Sequence, residues 1–191
     1  MSGDAAGAPL ERDGLPDGAR MRPADLADAP ALAELEHELF PEDAWSLAML
    51  RDEIAHPSRH VVVVEVADGS APRPRSAGPI GTPLEAASDA PSRRIIGYAA
   101  VMLLGDSADL HTIGTTRPGR GVGRALLDWA LRTTREDGAS ALLLEVREDN
   151  TRARHVYEAA GFRDIGARRG YYPGPDGPVD ARVMIRELPT D

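Results

Sequence analysis

Two clusters of residues in this chain have the types and spacing that chemistry needs. The first is Gly119-Arg120-Gly121-Val122-Gly123-Arg124, which follows the apolar stretch from Asp109 to Thr116. Glycines let the backbone turn tightly and present successive N–H groups, and a helix N-terminus adds positive potential, so the segment reads as an anion cradle. Arg117, Arg120 and Arg124 can add charge-assisted contacts. The spacing is G-x-G-x-G. Arg124 stands where a dinucleotide fingerprint needs its last glycine, and no acidic residue ends a clear strand about 20 residues on. A nucleotide phosphate or pyrophosphate therefore fits better than NAD, with a purely structural glycine turn as the competing reading.

The second cluster is Glu145, Asn150 and Tyr157. Glu145 lies inside the apolar run Leu143-Leu144-Glu145-Val146, where desolvation would raise its pKa and suit it to general-base work. Tyr157 follows Asn150 by seven residues, and both can return to one strand end. On these residues alone, the structural reading is the stronger one: Glu145 as an exposed strand residue or a partner of Arg147, and Tyr157 as a tyrosine at the core's edge.

The elements that must hold these groups follow from periodicity. Ala19 to Arg22 reads as a short strand. Asp28 is a candidate N-cap with Pro30 behind it, followed by Leu32, Leu35 and Leu39 at helical spacing. Ser46 caps a second short helix carrying Leu47, Leu50 and Ile54. His60 to Ala67 is β-branched and uninterrupted, a buried strand; Ile95 to Leu104 and Asp109 to Thr116 are the next two. Gly121 to Glu136 is the clearest amphipathic helix, with Val122, Leu126, Ala130 and Thr133 on one stripe and Gly138 past its end. Ala141 to Arg147 is a strand, Thr151 to Ala160 a helix stopped by Gly161, and strands near Phe162 to Arg169 and Ala181 to Leu188 flank a turn-rich hairpin loop. The order describes a mixed α/β sheet. Residues 1–18 read as a flexible tail. Asp68 to Arg94, with five prolines, three glycines and four serines in 27 residues, reads as a disordered insertion between strands.

Composition narrows the classes. The formal charge is −9, which argues against general nucleic-acid or anionic-membrane binding. There is no cysteine, which removes disulfides, metal–thiolate sites and a thiol nucleophile. All 22 basic residues are arginine, which removes a Schiff-base lysine and the P-loop lysine. No apolar run reaches the length of a membrane span and no signal-peptide pattern opens the chain, so a cytoplasmic location is expected.

Taken together, Gly121-Val122-Gly123-Arg124-Ala125-Leu126-Leu127, Leu144-Glu145-Val146, Asn150 and Tyr157-Glu158-x-x-Gly161-Phe162 resemble the GCN5-related N-acetyltransferase (GNAT) superfamily over about residues 19–188. Three stretches are similar to its RimI-like, ribosomal-protein alanine N-acetyltransferase branch. They are Leu39-Phe40-Pro41-x-x-x-Trp45-Ser46, then Leu144-Glu145-Val146-Arg147-x-x-Asn150, then Arg168-Arg169-Gly170-Tyr171-Tyr172-Pro173 with Asp180-Ala181-x-x-Met184. The resemblance implies an α/β GNAT fold: a mixed sheet of about seven strands, splayed in the middle and flanked by about four helices. It implies acetyl-CoA as co-substrate and no metal. The acetyl-pantetheine arm would pair with the backbone of Ile113, Gly114 and Thr115, and the pyrophosphate would rest on Gly119, Arg120, Gly121, Val122, Gly123 and Arg124. Asn150 would touch the cofactor, Glu145 would act as general base, and Tyr157 would protonate the departing thiolate in a direct ternary-complex transfer.

On the acceptor side, the resemblance implies that Phe40, Trp45, Tyr171 and Tyr172 flank the N-terminus of a peptide or ribosomal protein, with no nucleic-acid or membrane partner; the oligomeric state is left open and a monomer is compatible. The negative charge suits a basic peptide. Acetylation of a lysine side chain or a small-molecule amine, or acyl-CoA binding without catalysis, are the alternatives. The chain departs from the family's pattern at Pro118, which lacks an N–H in the loop, at Thr115 in place of an apolar residue, and in a strand-to-loop connection about two residues short.

Overall fold

Four consecutive valines, Val61 to Val64, are nearly or fully excluded from solvent, which requires cover on both faces of the strand that carries them. In the computed structural model, which describes residues 14–67 and 93–189, that strand is β2 (Arg59–Ala67). It lies in a seven-stranded sheet with β1 (Ala19–Pro23), β3 (Arg93–Leu103), β4 (Ser107–Thr115), β5 (Ala141–Arg147), β6 (Arg163–Tyr172) and β7 (Val179–Glu187). The spatial order is β1-β2-β3-β4-β5-β7-β6, and every pairing is antiparallel except β4 with β5.

Helices α1 (Ala29–Leu39) and α2 (Leu47–Ala55) cover one face, placing Leu32, Leu35 and Leu50 against Val61, Val63, Tyr98 and Ala100. The other face carries α3 (Val122–Glu136) and α4 (Thr151–Ala159). There Leu126, Leu127, Trp129 and Tyr157 join Val62, Val64, Ala99 and Val101 in the larger core. The α3 stripe runs through Val122, Leu126 and Ala130 and ends on Thr134 rather than the expected Thr133; the fully buried Thr134 hydroxyl donates to the Ala130 carbonyl at 2.8 Å. Among the described residues no helix is long and apolar enough to cross a membrane.

The structure corrects two local readings. Asp28 is the N-cap residue of α1 as read, but its carboxylate makes no cap hydrogen bond to that helix. It accepts from Asp25 N–H at 2.9 Å, closing a capping box around the short 3-10 turn Leu26–Asp28 in which Asp25 accepts from Ala27 N–H at 2.8 Å, and it pairs with Arg22 at 2.6 Å. The tail reading of residues 1–18 does not hold for its last five: Leu15 packs against the larger core and Ala19 N–H donates to the Pro16 carbonyl at 3.0 Å. Residues 1–13 lie outside the described residues, as does the 68–94 insertion except for Arg93 and Arg94, which belong to β3.

Candidate active site

The parallel pair β4 and β5 does not stay together. Its register runs from Ser107 opposite Ala141 to Leu110 opposite Leu144 and stops, although both strands continue. The break coincides with a bulge: β3 and β4 pair Ala100 with Thr112 and then Val101 with Leu110, so His111 is the extra residue. A bulge bends its strand and re-aims a side chain. Here it turns β4 from β5 and leaves a wedge whose β4 edge, residues 111–115, has no β5 partner. Ile113, Gly114 and Thr115 all lie on that edge. Gly114 is closely packed: a Cβ there would stand 2.6 Å from Leu39 Cδ1 and 3.1 Å from Phe40 Cζ, so those side chains would have to shift. Thr115 has a structural role that an apolar residue could not fill: its hydroxyl donates to the Ile96 carbonyl at 2.7 Å and accepts from Arg117 N–H at 3.0 Å.

The glycine loop follows directly. Gly119 and Gly121 have φ of 76° and 84°, the left-handed region that glycine enters without penalty, and Gly121 caps α3. A Cβ at Gly121 would lie 2.2 Å from the Gly14 carbonyl oxygen, so the N-terminal segment closes over this point. Space is open around Gly119, and a Cβ at Gly123 would meet only Thr115 Cγ2, at 4.0 Å. Arg117 and Arg120 are exposed beside the loop, whereas Arg124 is engaged with Asp128 at 3.2 Å one turn along α3.

A groove of about 370 Å³ runs between the wedge and the α1–α2 connection. Glu145, Asn150, Tyr157, Phe40, Trp45, Tyr172 and Ile113 all line it. Glu145 is not in the apolar setting expected for it. It alternates with the buried Leu144 and Val146, faces the α1–α2 side, and makes an ion pair with Arg168 at 2.9 Å; Arg147 is not its partner. Tyr157 approaches from the opposite face of the sheet on α4, with its ring 5.8 Å from that of Phe162. Burial, reinforced by Tyr172, pushes its phenol well above the ordinary tyrosine range. It is a proton-bearing group aimed into the groove. The Asn150 carbonyl oxygen caps α4 by accepting from Ala153 N–H at 3.1 Å, which leaves its amide N–H groups for a ligand.

Of the two hairpin tyrosines, only Tyr172 reaches the groove. Burial, with the Glu145 charge next, pushes its pKa up to about 12, and its hydroxyl donates to the Glu145 carbonyl at 3.4 Å. Tyr171 does not line the groove and is half exposed, with the Arg168 guanidinium 5.5 Å from its ring centre, yet burial, together with Glu145 beside it, raises its phenol above the ordinary range.

Several groups escaped the sequence reading. Glu36, 1% exposed, accepts from the Tyr98 hydroxyl and from Trp45 N–H at 2.8 Å, and so ties the α1–α2 connection to the sheet. Burial pushes its carboxyl above the ordinary range, against the two hydrogen bonds. Glu53, 4% exposed, holds Arg59 at 2.9 Å and His111 Nδ1 at 2.8 Å. Arg147 spans the groove mouth, reaching Glu42 at 3.3 Å, Asp149 at 3.1 Å and the Pro173 carbonyl at 2.7 Å. The available signal was a carboxylate at a helical stripe position, Glu36 between Leu32 and Leu39 and Glu53 between Leu50 and Ile54.

Residues 75–162 match the family described as "Acetyltransferase (GNAT) family". The chain is 35% identical over 168 residues to the N-alpha-acetyltransferase RimI of Mycobacterium tuberculosis, covering 84% of this chain and 87% of that protein. It is 40% identical over 96 residues to the [Ribosomal protein bS18]-alanine N-acetyltransferase of Haemophilus influenzae, covering 49% of this chain and 65% of that protein. Among solved structures, the ribosomal-protein-S18-alanine N-acetyltransferase from Escherichia coli superposes with a TM-score of 0.70 at 23% identity, over 91% of this chain and 96% of that one. Arabidopsis thaliana NAA60 in complex with acetyl-CoA superposes with a TM-score of 0.68 at 16% identity, over 89% of this chain and 98% of that one. The two superpositions extend the likeness to the whole splayed sheet.

Proposed function

The chain belongs to the GNAT family of acetyltransferases, and from that premise we propose that it moves an acetyl group from acetyl-CoA to the α-amine of a protein N-terminus, with the N-terminal alanine of a ribosomal protein as the substrate. The reading takes residues 19–188 as one catalytic domain acting in the cytoplasm, where ribosomal proteins are made. The observation that carries it is the wedge: Glu145 borders it from one face of the sheet and Tyr157 from the other, with Trp45 and Tyr172 as aromatic walls. The relatives named RimI and bS18-alanine N-acetyltransferase support the substrate.

The residues present suit acetyl-CoA. The unpaired edge of residues 111–115 offers backbone groups for an amide-bearing arm, and the Gly119–Arg124 loop offers N–H groups with clear space above Gly119 and Gly123. Arg117 and Arg120 lie beside the loop and can take the place of the N–H missing at Pro118. The thioester supplies an activated acetyl carbonyl.

Glu145 attracts the acceptor's ammonium and takes its proton, directly or through water. The amine then attacks the carbonyl, a C–N bond forms and the C–S bond breaks, and Tyr157 gives its proton to the leaving sulfur. No covalent enzyme intermediate is needed.

The test is thiol release from acetyl-CoA with an alanine-starting peptide, against the same peptide acetylated at its α-amine. Release with the free α-amine alone is expected, and release from both peptides would point to a side-chain acceptor. Glu145→Gln and Tyr157→Phe should each lower kcat by about 100-fold, within the usual range for acid–base groups, with acetyl-CoA affinity kept. Unchanged turnover in both would remove their assigned roles.

A further inference from the structure

His111 is structurally singular. It is the bulged residue of β4 and also the first position past the last β4–β5 pair, so it stands at the apex of the wedge with Glu145 as its counterpart on β5. The flanking Leu110, Leu144 and Val146 are in the larger core, which sends His111 and Glu145 to the same opposite face, into the same groove.

The ring is held as a base rather than left as a surface histidine. Its Nδ1 lies 2.8 Å from Glu53 Oε1, and the other oxygen of that buried carboxylate takes Arg59 at 2.9 Å. A carboxylate only accepts, so Nδ1 carries the hydrogen and Nε2 keeps its lone pair. Nε2 has no hydrogen-bond partner among the described residues. Trp45 meets the ring edge-on at 6.2 Å, and Trp45 is itself anchored through its N–H on Glu36. The imidazole is thus fixed in tautomer and in plane. Glu145, by contrast, is shared with Arg168.

We propose that His111, oriented by Glu53, is the terminal acceptor of the proton that the substrate ammonium must lose. This rests on the acetyl-transfer reading and deepens it. The N–H bond of the ammonium breaks beside Glu145, the Nε2–H bond of His111 forms directly or through Glu145 or a water, and the neutral amine is left to attack. The imidazolium, a quarter exposed, returns the proton to solvent. Imidazole suits this step at neutral pH better than a carboxylate. The groups that bear on its charge are Glu53, Arg59 behind it, and Glu36 with Tyr98 beneath Trp45. Across the groove they are Glu145, Arg147 and Tyr172, with Glu42 and Asp43 at the rim.

The experiment is kcat against pH from 6 to 9 for the wild type, His111→Gln and Glu53→Gln, with imidazole NMR on the same proteins. His111→Gln should lose about 10- to 100-fold in kcat near pH 7, with acetyl-CoA affinity unchanged and the deficit closing toward pH 9 as free amine becomes available. Glu53→Gln keeps the base but frees the ring, and should lose less. A deficit in His111→Gln that is the same at every pH would mark a merely structural role and overturn the proposal, as would no deficit. The NMR arm does not depend on the acceptor. The His111 ring signal, identified by its absence from His111→Gln, should change its chemical shift in Glu145→Gln at constant pH, because the two side chains line one groove. An unmoved signal would separate the two groups and overturn the relay. If the relay signature is present while the alanine peptide is not turned over, the substrate reading fails and the relay stands.

Discussion

The two sides of the wedge are built on opposite plans. The glycine loop is made of backbone: its conformation depends on Gly119 and Gly121 at positive φ, and its arginines are exposed. The acceptor side is made of buried side chains, with Glu36 bonded to Tyr98 and Trp45, and Glu53 shared between Arg59 and His111. A backbone cradle tolerates exchange of its neighbours but not an added Cβ where the chain is left-handed or crowded. A side-chain scaffold fails when one partner is removed, because each partner leaves another buried group unsatisfied. The glycine loop is accordingly generic, whereas the groove across from it depends on particular atoms.

The most damaging single change should be on the acceptor side. Glu36→Leu leaves the Trp45 backbone N–H without an acceptor and the Tyr98 hydroxyl with only the Thr112 hydroxyl oxygen at 3.3 Å, at about 1–3 kcal/mol for each group left short of a partner. The melting temperature is expected to fall by about 10 °C, given roughly 2–4 °C per kcal/mol for a chain of this size. Peptide turnover should fall further, because Trp45 and the His111 ring lose their anchor. Thermal melts and the thiol-release assay check both, and a variant that melts like the wild type would break the contrast.

On the cofactor side, two glycines should separate. Gly121→Ala meets the Gly14 carbonyl and places a Cβ in the left-handed region, a backbone cost of about 1–2 kcal/mol. Both stability and acetyl-CoA affinity should drop. Gly123 has room for a side chain, so Gly123→Glu should fold normally and yet lose at least about tenfold in acetyl-CoA affinity, about 1.4 kcal/mol, because a carboxylate would face the phosphates. Calorimetric titration with acetyl-CoA beside a melt distinguishes them, and normal binding by Gly123→Glu would refute the phosphate site.

Arg147 sharpens the picture within the acceptor side. It joins the α1–α2 connection at Glu42 to the hairpin at Pro173 and rests 5.6 Å from the centre of the Tyr172 ring. Arg147→Ala should raise KM for the peptide about 3- to 10-fold, roughly one ordinary hydrogen bond's worth, with kcat and acetyl-CoA affinity little changed. Arg147→Lys, unable to bridge several partners in a planar fork, should recover only part of this.

The same division governs what the sequence disclosed. The seven strands and four helices were legible because the strands are short apolar, often β-branched runs and the helices repeat apolar residues at a period of 3.6, and their ends fell within a few residues of the observed ones. The glycine loop was legible because its chemistry is local: the spacing of Gly119, Gly121 and Gly123 is itself the device. The Glu145–Arg168 pair, the Glu53–His111 pair and the Glu36–Tyr98 bond join residues 23, 58 and 62 positions apart, and only register decides them. The bulge at His111 depends on β3 pairing and leaves no mark on the β4 sequence. Tyr171 and Tyr172 are adjacent and chemically alike, and only the sheet geometry sends Tyr172 inward.

The smallest effect expected is in the pH dependence of stability, where two buried acids pull in opposite directions. Glu36 is held above its unfolded-chain value by burial, so the folded chain binds that proton more tightly. Its contribution to stability therefore declines as pH rises from the ordinary glutamate range through the raised value. Glu65, beside β1, is also opposed by burial, but its Arg20 hydrogen bond and the charges of Arg22 and Arg20 outweigh that and lower its value. Its contribution is present at neutral pH and is lost as pH falls through the depressed value. Urea unfolding at pH 5 and pH 7.5 separates them by substitution. Moving from pH 7.5 to pH 5 should favour the wild type over Glu36→Gln, because only the wild type can take up the proton that the groove's floor prefers. Glu65→Gln should lose stability at both values and then flatten the acid limb below pH 4. A Glu36→Gln protein whose stability follows the wild type in parallel between pH 5 and 7.5 would mean that this carboxyl is ionised in the folded chain, and that the acceptor scaffold rests on an anion rather than on a neutral hydrogen-bonding hub.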